Sequence, residues 1–137
     1  MNEQRLKECI ESAKSLISAR NCLGLLQTAL ILTSEGTTRA TAKELSDRLQ
    51  YEFSITLTPA AVGQVFGAFD IPSKTTHGKP RFVLAAAGLE EMIHKLTDYC
   101  NEEADRLQQL TAEFRRIDRR TNELVEDLKT AIKDSPR

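Results

Sequence analysis

The fold is decided by TAKELSDRL at residues 41–49, LTPAAVGQVFGAF at residues 57–69 and SKTTHGKPRFVL at residues 73–84. The first two stretches repeat apolar residues at intervals of three and four, which is the spacing of one helix face. The third carries a Gly-Lys-Pro turn at residues 78–80, after which residues 81–84 are typical of a short strand. The predicted order is therefore helix, turn, helix, basic hairpin.

Both short helices have recognisable beginnings. Thr41 is predicted to be an N-cap, and Glu44 three residues later completes a capping-box pattern. Thr58 is predicted to cap the second helix, with Pro59 at the first helical position, where a missing N–H costs nothing. The apolar faces consist of Ala42, Leu45 and Leu49 in the first helix and of Val62, Val65, Phe66 and Phe69 in the second.

The linker between these helices, residues 50–57, is longer than the turn of a minimal helix-turn-helix. Its apolar residues alternate as Tyr51, Phe53, Ile55 and Leu57. This pattern fits either an extra turn of the first helix or a short extended piece that feeds the sheet, and both interpretations stay open.

An apolar segment precedes the two helices. Helical spacing over residues 3–19 predicts an N-terminal helix, which Arg20-Asn21 is expected to interrupt. Residues 22–34 are almost uniformly apolar, so we predict a separate helix there, inside the domain and beneath the helix pair. Gly36 is a candidate left-handed C-cap for it.

One long helix is predicted from Ala86 to about Lys133. Its apolar residues follow a heptad pattern in which only Glu103 and Thr121 are polar, which indicates a coiled coil. A rod of roughly 65–70 Å cannot bury its apolar stripe against so small a domain and needs a partner. The predicted dimerisation residues are Ile93, Leu96, Cys100, Leu107, Leu110, Phe114, Ile117, Leu124 and Leu128.

The charges beside this stripe indicate how the partner runs. In a parallel pair Glu113 would face Asp118 of the other chain, whereas in an antiparallel pair centred near Arg116 it faces Arg120. Exposed ion pairs are worth only about 0.2–1 kcal/mol, so they select orientation more than they stabilise. The alternative is a helix folded back on its own chain. We predict an antiparallel homodimer, to which the N-terminal helix can add Leu6, Ile10, Ala13 and Ile17.

Composition limits the possible functions. The 137 residues carry a formal net charge of −1, so any nucleic-acid surface has to be local. The cysteines Cys9, Cys22 and Cys100 lack a CxxC spacing and a nearby histidine, which is typical of small apolar fillers rather than metal ligands or disulfides. We find no signal peptide and no run of about 20 apolar residues. A cytoplasmic protein without metal, cofactor or membrane span is predicted.

The order of elements resembles that of the winged helix-turn-helix transcriptional regulators, especially the PadR-like and MarR-like groups. The residues that carry the resemblance are TAKELSDRL, PAAVGQVFGAF and RFVLAAAGLEEM, and it covers residues 23–92. It implies a mainly α fold with a small β-hairpin wing, and double-stranded DNA contacted by the second helix of the pair and by the wing. The expected domains are an N-terminal helix at 1–20, a winged helix-turn-helix domain at 21–85 and a long coiled-coil dimerisation helix at 86–137.

Positive charge is concentrated around the helix pair and hairpin. Residues 36–84 carry six basic and four acidic side chains, whereas residues 86–134 carry eight basic and twelve acidic ones. The second helix of the pair lacks Arg and Lys, although Arg to guanine is the commonest specific base contact, so weak, shape-led binding is expected. The predicted DNA-binding residues are Arg39, Lys43, Thr58, Gln64, Lys74, Thr75, Thr76, His77, Lys79 and Arg81.

Other function classes can be weighed from the same residues. No HExxH, GxxxxGK[ST], GxSxG or GxGxxG motif occurs, so an enzyme is not expected. Gly63 and Gly67 suit either close approach to a DNA backbone or tight packing against protein. The alternative function is therefore a protein-interaction module that assembles a larger complex without direct DNA reading. A second anion site or a solvated face is indicated by Arg115, Arg116, Arg119 and Arg120.

Overall fold

The computed structural model describes residues 3–134, which form a mainly helical chain with a small three-stranded antiparallel sheet. The elements are α1 (Glu3–Ser34), β1 (Arg39–Ala40), α2 (Ala42–Phe53), α3 (Pro59–Ala68), β2 (Ser73–Thr76), β3 (Lys79–Val83) and α4 (Ala86–Asp134). The chain divides into a central unit, Ile17–Asn101, and a terminal unit made of Met1–Leu16 and Glu102–Arg137. Of the terminal unit, residues 3–16 and 102–134 are described.

The N-terminal segment is one helix, so the predicted interruption at Arg20-Asn21 is wrong. Helix α1 runs unbroken through both residues. Arg and Asn cost at most about 0.7 kcal/mol relative to Ala in a helix, and Ala19 and Leu25 on either side are buried, so packing maintains the helix. The end of α1 is as predicted, because Gly36 has φ +90°.

Helix α1 is long and apolar enough, by length and composition alone, to cross a membrane. That feature is missed when the segment is divided into two helices. It is weak evidence for a membrane span, since core helices pass the same test and Leu25, Leu26 and Ala29 of α1 are fully buried. The cytoplasmic location stays a prediction.

The caps of α2 and α3 are confirmed. The Thr41 side chain accepts a hydrogen bond from the Glu44 N–H, and the Glu44 carboxylate accepts one from the Thr41 N–H. The Thr58 side chain caps α3 by accepting a hydrogen bond from the Ala61 N–H. In the linker, α2 takes the extra turn to Phe53 and ends where Ser54 adopts φ 54°.

We expect Thr41→Ala to lower the free energy of unfolding by about 0.5–2 kcal/mol, because it leaves the Glu44 N–H in the first turn of α2 without its acceptor. Urea unfolding followed by circular dichroism measures the change. Thr38→Ala, an exposed threonine in the same connection, is the control. Equal midpoints for the two variants would contradict the role of the cap.

The hairpin turn lies at His77-Gly78, so the predicted turn at residues 78–80 is wrong. His77 has φ 52° and Gly78 has φ 78°, the pair of left-handed residues that a two-residue hairpin turn needs. Pro80 lies within β3, opposite Thr75. It is tolerated because β1 pairs only with Val83 and Phe82, so the strand at Pro80 has a neighbour on one side only.

Strand β1 was not predicted. It contains two residues, Arg39 and Ala40, which is too short for a periodic signal. It pairs with β3, so the strand order is β1-β3-β2. As a consequence the connection between α1 and α2 becomes part of the sheet.

The core of the central unit joins the helices to the sheet. Phe66 of α3 is fully buried and meets Phe82 of β3 edge-on, with ring centroids 4.8 Å apart. Ile93 and Leu96 of α4 pack against this core, so these two predicted dimerisation residues contact their own chain. The buried apolar residues are Leu25, Leu26, Ala29, Leu32, Ala40, Leu45, Leu49, Ile55, Val62, Phe66, Ile71, Leu84 and Leu89.

In the terminal unit, the start of α1 packs on α4. Arg5 forms an ion pair with Glu113, and Ser12 is buried. The apolar stripe of α4 is half-buried at Leu107, Leu110, Phe114 and Ile117, whereas every residue from 118 to 133 is exposed. Packing within the chain, the alternative to a dimer, thus buries part of the stripe and leaves its last turns exposed.

Candidate nucleic-acid interface

One face of the sheet carries four basic side chains. The register places Lys74 opposite Arg81 and Thr76 opposite Lys79, and Arg39 opposite Val83. Because side chains alternate between faces along a strand, these positions all share a face. The basic residues of this face, called the basic sheet face below, are Arg39, Lys74, Lys79 and Arg81.

Hydrogen bonds to one threonine order this face. Arg39 Nη1 donates to Thr76 Oγ1 at 3.4 Å, and Arg81 Nη1 donates to the Thr76 carbonyl oxygen at 3.1 Å. Neither bond neutralises charge. Within residues 3–134, no carboxylate pairs with any basic residue of this face. Lys74 and Lys79 are exposed, so the face presents its positive charge to solvent.

A groove of about 720 Å³ lies beside the hairpin, between the start of α2, α3 and the sheet. It brings Lys43 of α2 together with Lys79 and Arg81 of β3, which lie far from Lys43 in sequence. Its acidic members, Glu44 and Asp47, were not anticipated, and Glu44 is engaged in the capping box. The remaining lining comes from small or apolar residues, chiefly Ala42, Gly63, Pro80 and Phe82, together with Thr41 and Ser73.

Helix α3 presents a small, open face. A methyl group added at Gly63 or at Gly67 would meet nothing within 4 Å. No packing contact within the described chain therefore requires glycine at these positions. Gln64 lies between them and is exposed.

The other predicted DNA-binding residues are placed separately. Thr58 uses its hydroxyl to accept the Ala61 N–H as the cap of α3. Thr75, opposite Pro80, lies on the face of the hairpin away from the basic residues. His77 is exposed at the tip of the turn. Gln64 does not line the groove.

Arg48 is not available to this surface. It forms ion pairs with Glu35 and, at 2.8 Å, with Glu52. The hydrogen bond to Glu35, followed by that to Glu52, raises the pKa of the Arg48 guanidinium above its ordinary value. The positive charge around the helix pair thus comes from the other basic residues.

Cys22 and Cys100 have the environment of inert thiols. Burial, and then the neighbouring Cys100, raises the pKa of the Cys22 thiol, and burial raises the pKa of Cys100. Both thiols stay protonated at neutral pH and are weak nucleophiles. Across residues 3–134, no three His, Cys, Asp or Glu residues form a group that could hold a metal ion.

In comparisons with known proteins, no family model, no curated protein and no solved structure matches this chain. The function therefore has to be argued from the basic sheet face, the groove and the open face of α3.

Proposed function

We propose that this protein is a dimeric winged helix-turn-helix protein that binds double-stranded DNA, as a transcriptional regulator or a plasmid or nucleoid factor. The observation that carries the proposal is the basic sheet face, on which Arg39 of β1 lies on the same side of the sheet as Lys74, Lys79 and Arg81 of the hairpin. Among the described residues, no carboxylate pairs with any of the four. In this interpretation β2 and β3 are the wing, and α2 and α3 are the helix-turn-helix.

The surface suits phosphate better than bases. Three cations on the hairpin and Arg39 on the neighbouring strand β1 can follow a DNA backbone, because Arg and Lys are the residue types that contact phosphate most. Lys43, at the start of α2 and beside Lys79 and Arg81 in the groove, extends the same positive surface.

Helix α3 is suited to fit the shape of the duplex rather than to form specific hydrogen bonds with base edges. It lacks Arg and Lys, and Gln64 is its one exposed amide side chain. Gly63 and Gly67 leave space for a backbone to approach closely. Each mismatched base pair should therefore cost little, and binding should discriminate weakly between duplex sequences.

The test is the double variant Lys79→Ala plus Arg81→Ala, titrated against a duplex of mixed sequence at low salt. We expect affinity to fall roughly 10- to 100-fold, because each copy of the dimer loses two exposed ion pairs with phosphate, each worth about 0.2–1 kcal/mol. Fluorescence anisotropy of a labelled duplex measures the change.

The matched control is Lys95→Ala plus Lys129→Ala, which alters net charge equally at two exposed residues of α4. It should bind nearly as the unchanged protein does. If the Lys79/Arg81 variant binds as tightly as this control, the basic sheet face is not the DNA site.

A protein-interaction module is the second candidate. The apolar part of the groove favours this function, because a charged phosphate backbone gains nothing from contact with apolar side chains. These side chains are Ala42, Pro80 and Phe82. Gly63 beside them would let a partner's helix or strand approach closely. Absence of duplex binding by the unchanged protein at low salt would favour this second function.

A further inference from the structure

The last turns of α4 expose an unusually wide apolar stripe. Leu124 and Leu128 continue the heptad positions, and Val125 and Ile132 add a third position beside them. All four side chains are between 44% and 68% exposed. A two-stranded coiled coil needs only two apolar positions per heptad, whereas a helix in a bundle shows three. The width of the stripe indicates that more than one helix covers it.

A second apolar stripe lies on α1 in the same unit. Leu6 is 44% and Ile10 is 46% exposed, although Ser12 on the neighbouring face is buried. The Arg5–Glu113 ion pair places this part of α1 beside the half-buried stretch of α4. A groove of about 570 Å³ lies between the two helices, lined by Leu16 of α1 and by residues of α4 from Ala104 to Arg115. Leu6 and Ile10 are exposed nearer the start of α1. We call the groove together with these two side chains the trough, in which a third helix can lie.

We propose that the end of α4, residues 118–134, lies in this trough on a second copy of the chain, so that two terminal units form an antiparallel four-helix bundle. Within the described part of each copy the stripe and the trough are both left uncovered, so one twofold axis satisfies both at once. This self-complementarity identifies the occupant as a second copy rather than a different protein. This inference rests on the dimer of the proposed function and specifies how the two copies pair. Its supporting observations all come from the terminal unit.

Charge is consistent with this arrangement. With the two α4 helices antiparallel and centred near Arg116, Arg106 of one copy comes level with Asp127 of the other. Because α1 runs beside α4 with Arg5 at Glu113, Lys14 comes level with the same Asp127. Lys14 and Arg106 thus both face an acidic residue at the flank of the incoming stripe, and Arg106 also pairs with Glu103 of its own helix at 3.7 Å. Complementary flanking charges select orientation and register.

Sedimentation of the full chain at micromolar concentration tests the proposal. The unchanged protein should be a dimer, and Leu124→Glu plus Leu128→Glu should raise its dissociation constant roughly 100-fold or more, because charges would be buried in the interface. Leu6→Glu plus Ile10→Glu should have a comparable effect, since these residues edge the trough. All four side chains are exposed within one copy, so circular dichroism should report an unchanged helix content.

The control is Asn122→Glu plus Thr130→Glu, which places the same charges on α4 away from the stripe and should leave the dimer intact. A monomeric unchanged protein would overturn the proposal, as would a higher oligomer. A dimer that resists the Leu6/Ile10 change would show that α4 pairs without α1, and would overturn it too. DNA binding through the basic sheet face can survive any of these results, so the two proposals fail separately.

The occupant can be identified directly by zero-length carbodiimide coupling of a mixture of ¹⁴N- and ¹⁵N-labelled protein. A coupled peptide pair that joins Lys14 to Asp127 and carries both isotopes is expected, because the two residues belong to different copies. A Lys14–Asp127 pair found only with a single isotope would overturn the arrangement.

Discussion

Phe66→Ala is expected to lower the free energy of unfolding of the central unit by about 3–5 kcal/mol. Phe66 is fully buried, and its ring meets Phe82 edge-on at 4.8 Å. The substitution removes buried apolar area, leaves a cavity between α3 and the sheet, and deletes an aromatic pair worth about 0.5–1.5 kcal/mol beyond its area. Urea unfolding followed by circular dichroism measures the loss as a lower midpoint.

Tyr51→Ala is the control, because Tyr51 is an aromatic residue of α2 that is 80% exposed. Its free energy of unfolding should fall by no more than about 0.5–1 kcal/mol, the value of an exposed cation–π contact such as the one its ring makes with the Arg48 guanidinium, 5.8 Å from the ring centroid. Similar midpoints for the two variants would mean that Phe66 does not hold the hairpin on α3. Phe66→Leu should lie between them, because it keeps most of the buried volume.

Local signals were sufficient for several elements. Thr41 with Glu44, and Thr58 with Pro59, define helix starts through hydrogen bonds that span three residues. Such contacts join residues that are close in sequence, so they depend little on the rest of the fold. The long α4 was equally predictable, because its heptad pattern repeats over many turns.

Elements that depend on distant packing were not predictable in this way. The sequence Arg20-Asn21 suggests an interruption of the N-terminal helix, yet the helix continues because residues on either side are buried. The turn at His77-Gly78 has no apolar periodicity that would locate it. The Gly-Lys-Pro sequence instead placed the predicted turn at residues that belong partly to strand β3. In both places tertiary structure overrides a weak local preference.

The candidate site was predictable in its residue types but not in its arrangement. Lys79 and Arg81 stand out as basic residues with no acid nearby in sequence. That Arg39 joins them depends on the pairing of β1 with β3, across more than forty residues of chain. Arg48 is likewise absent from this surface because it pairs with Glu35, a contact that only the folded chain reveals.

Affinity for duplex DNA is expected to fall by about 10³–10⁵ between about 50 and 200 mM salt. That range corresponds to about 6–10 phosphate contacts, with a slope near −0.9 per contact in log affinity against log salt. A dimer supplies this number, because each copy has five basic side chains on the basic sheet face and at Lys43. Anisotropy titrations over a series of salt concentrations, on two unrelated duplexes, measure the slope. A shallow slope, or a large difference in affinity between the two duplexes, would contradict binding that depends mainly on phosphate contacts.

The slope also tests whether both copies bind at once. Leu124→Glu plus Leu128→Glu leaves all five basic side chains of each copy in place but separates the copies, so the slope should fall to about half. Lys79→Ala plus Arg81→Ala instead keeps the dimer and should remove about four of its contacts. A slope that stays unchanged when the copies are separated would mean that one copy makes every phosphate contact, because counterion release counts charges actually placed on the duplex. Under that result the dimer would have no part in DNA binding, however stable its bundle.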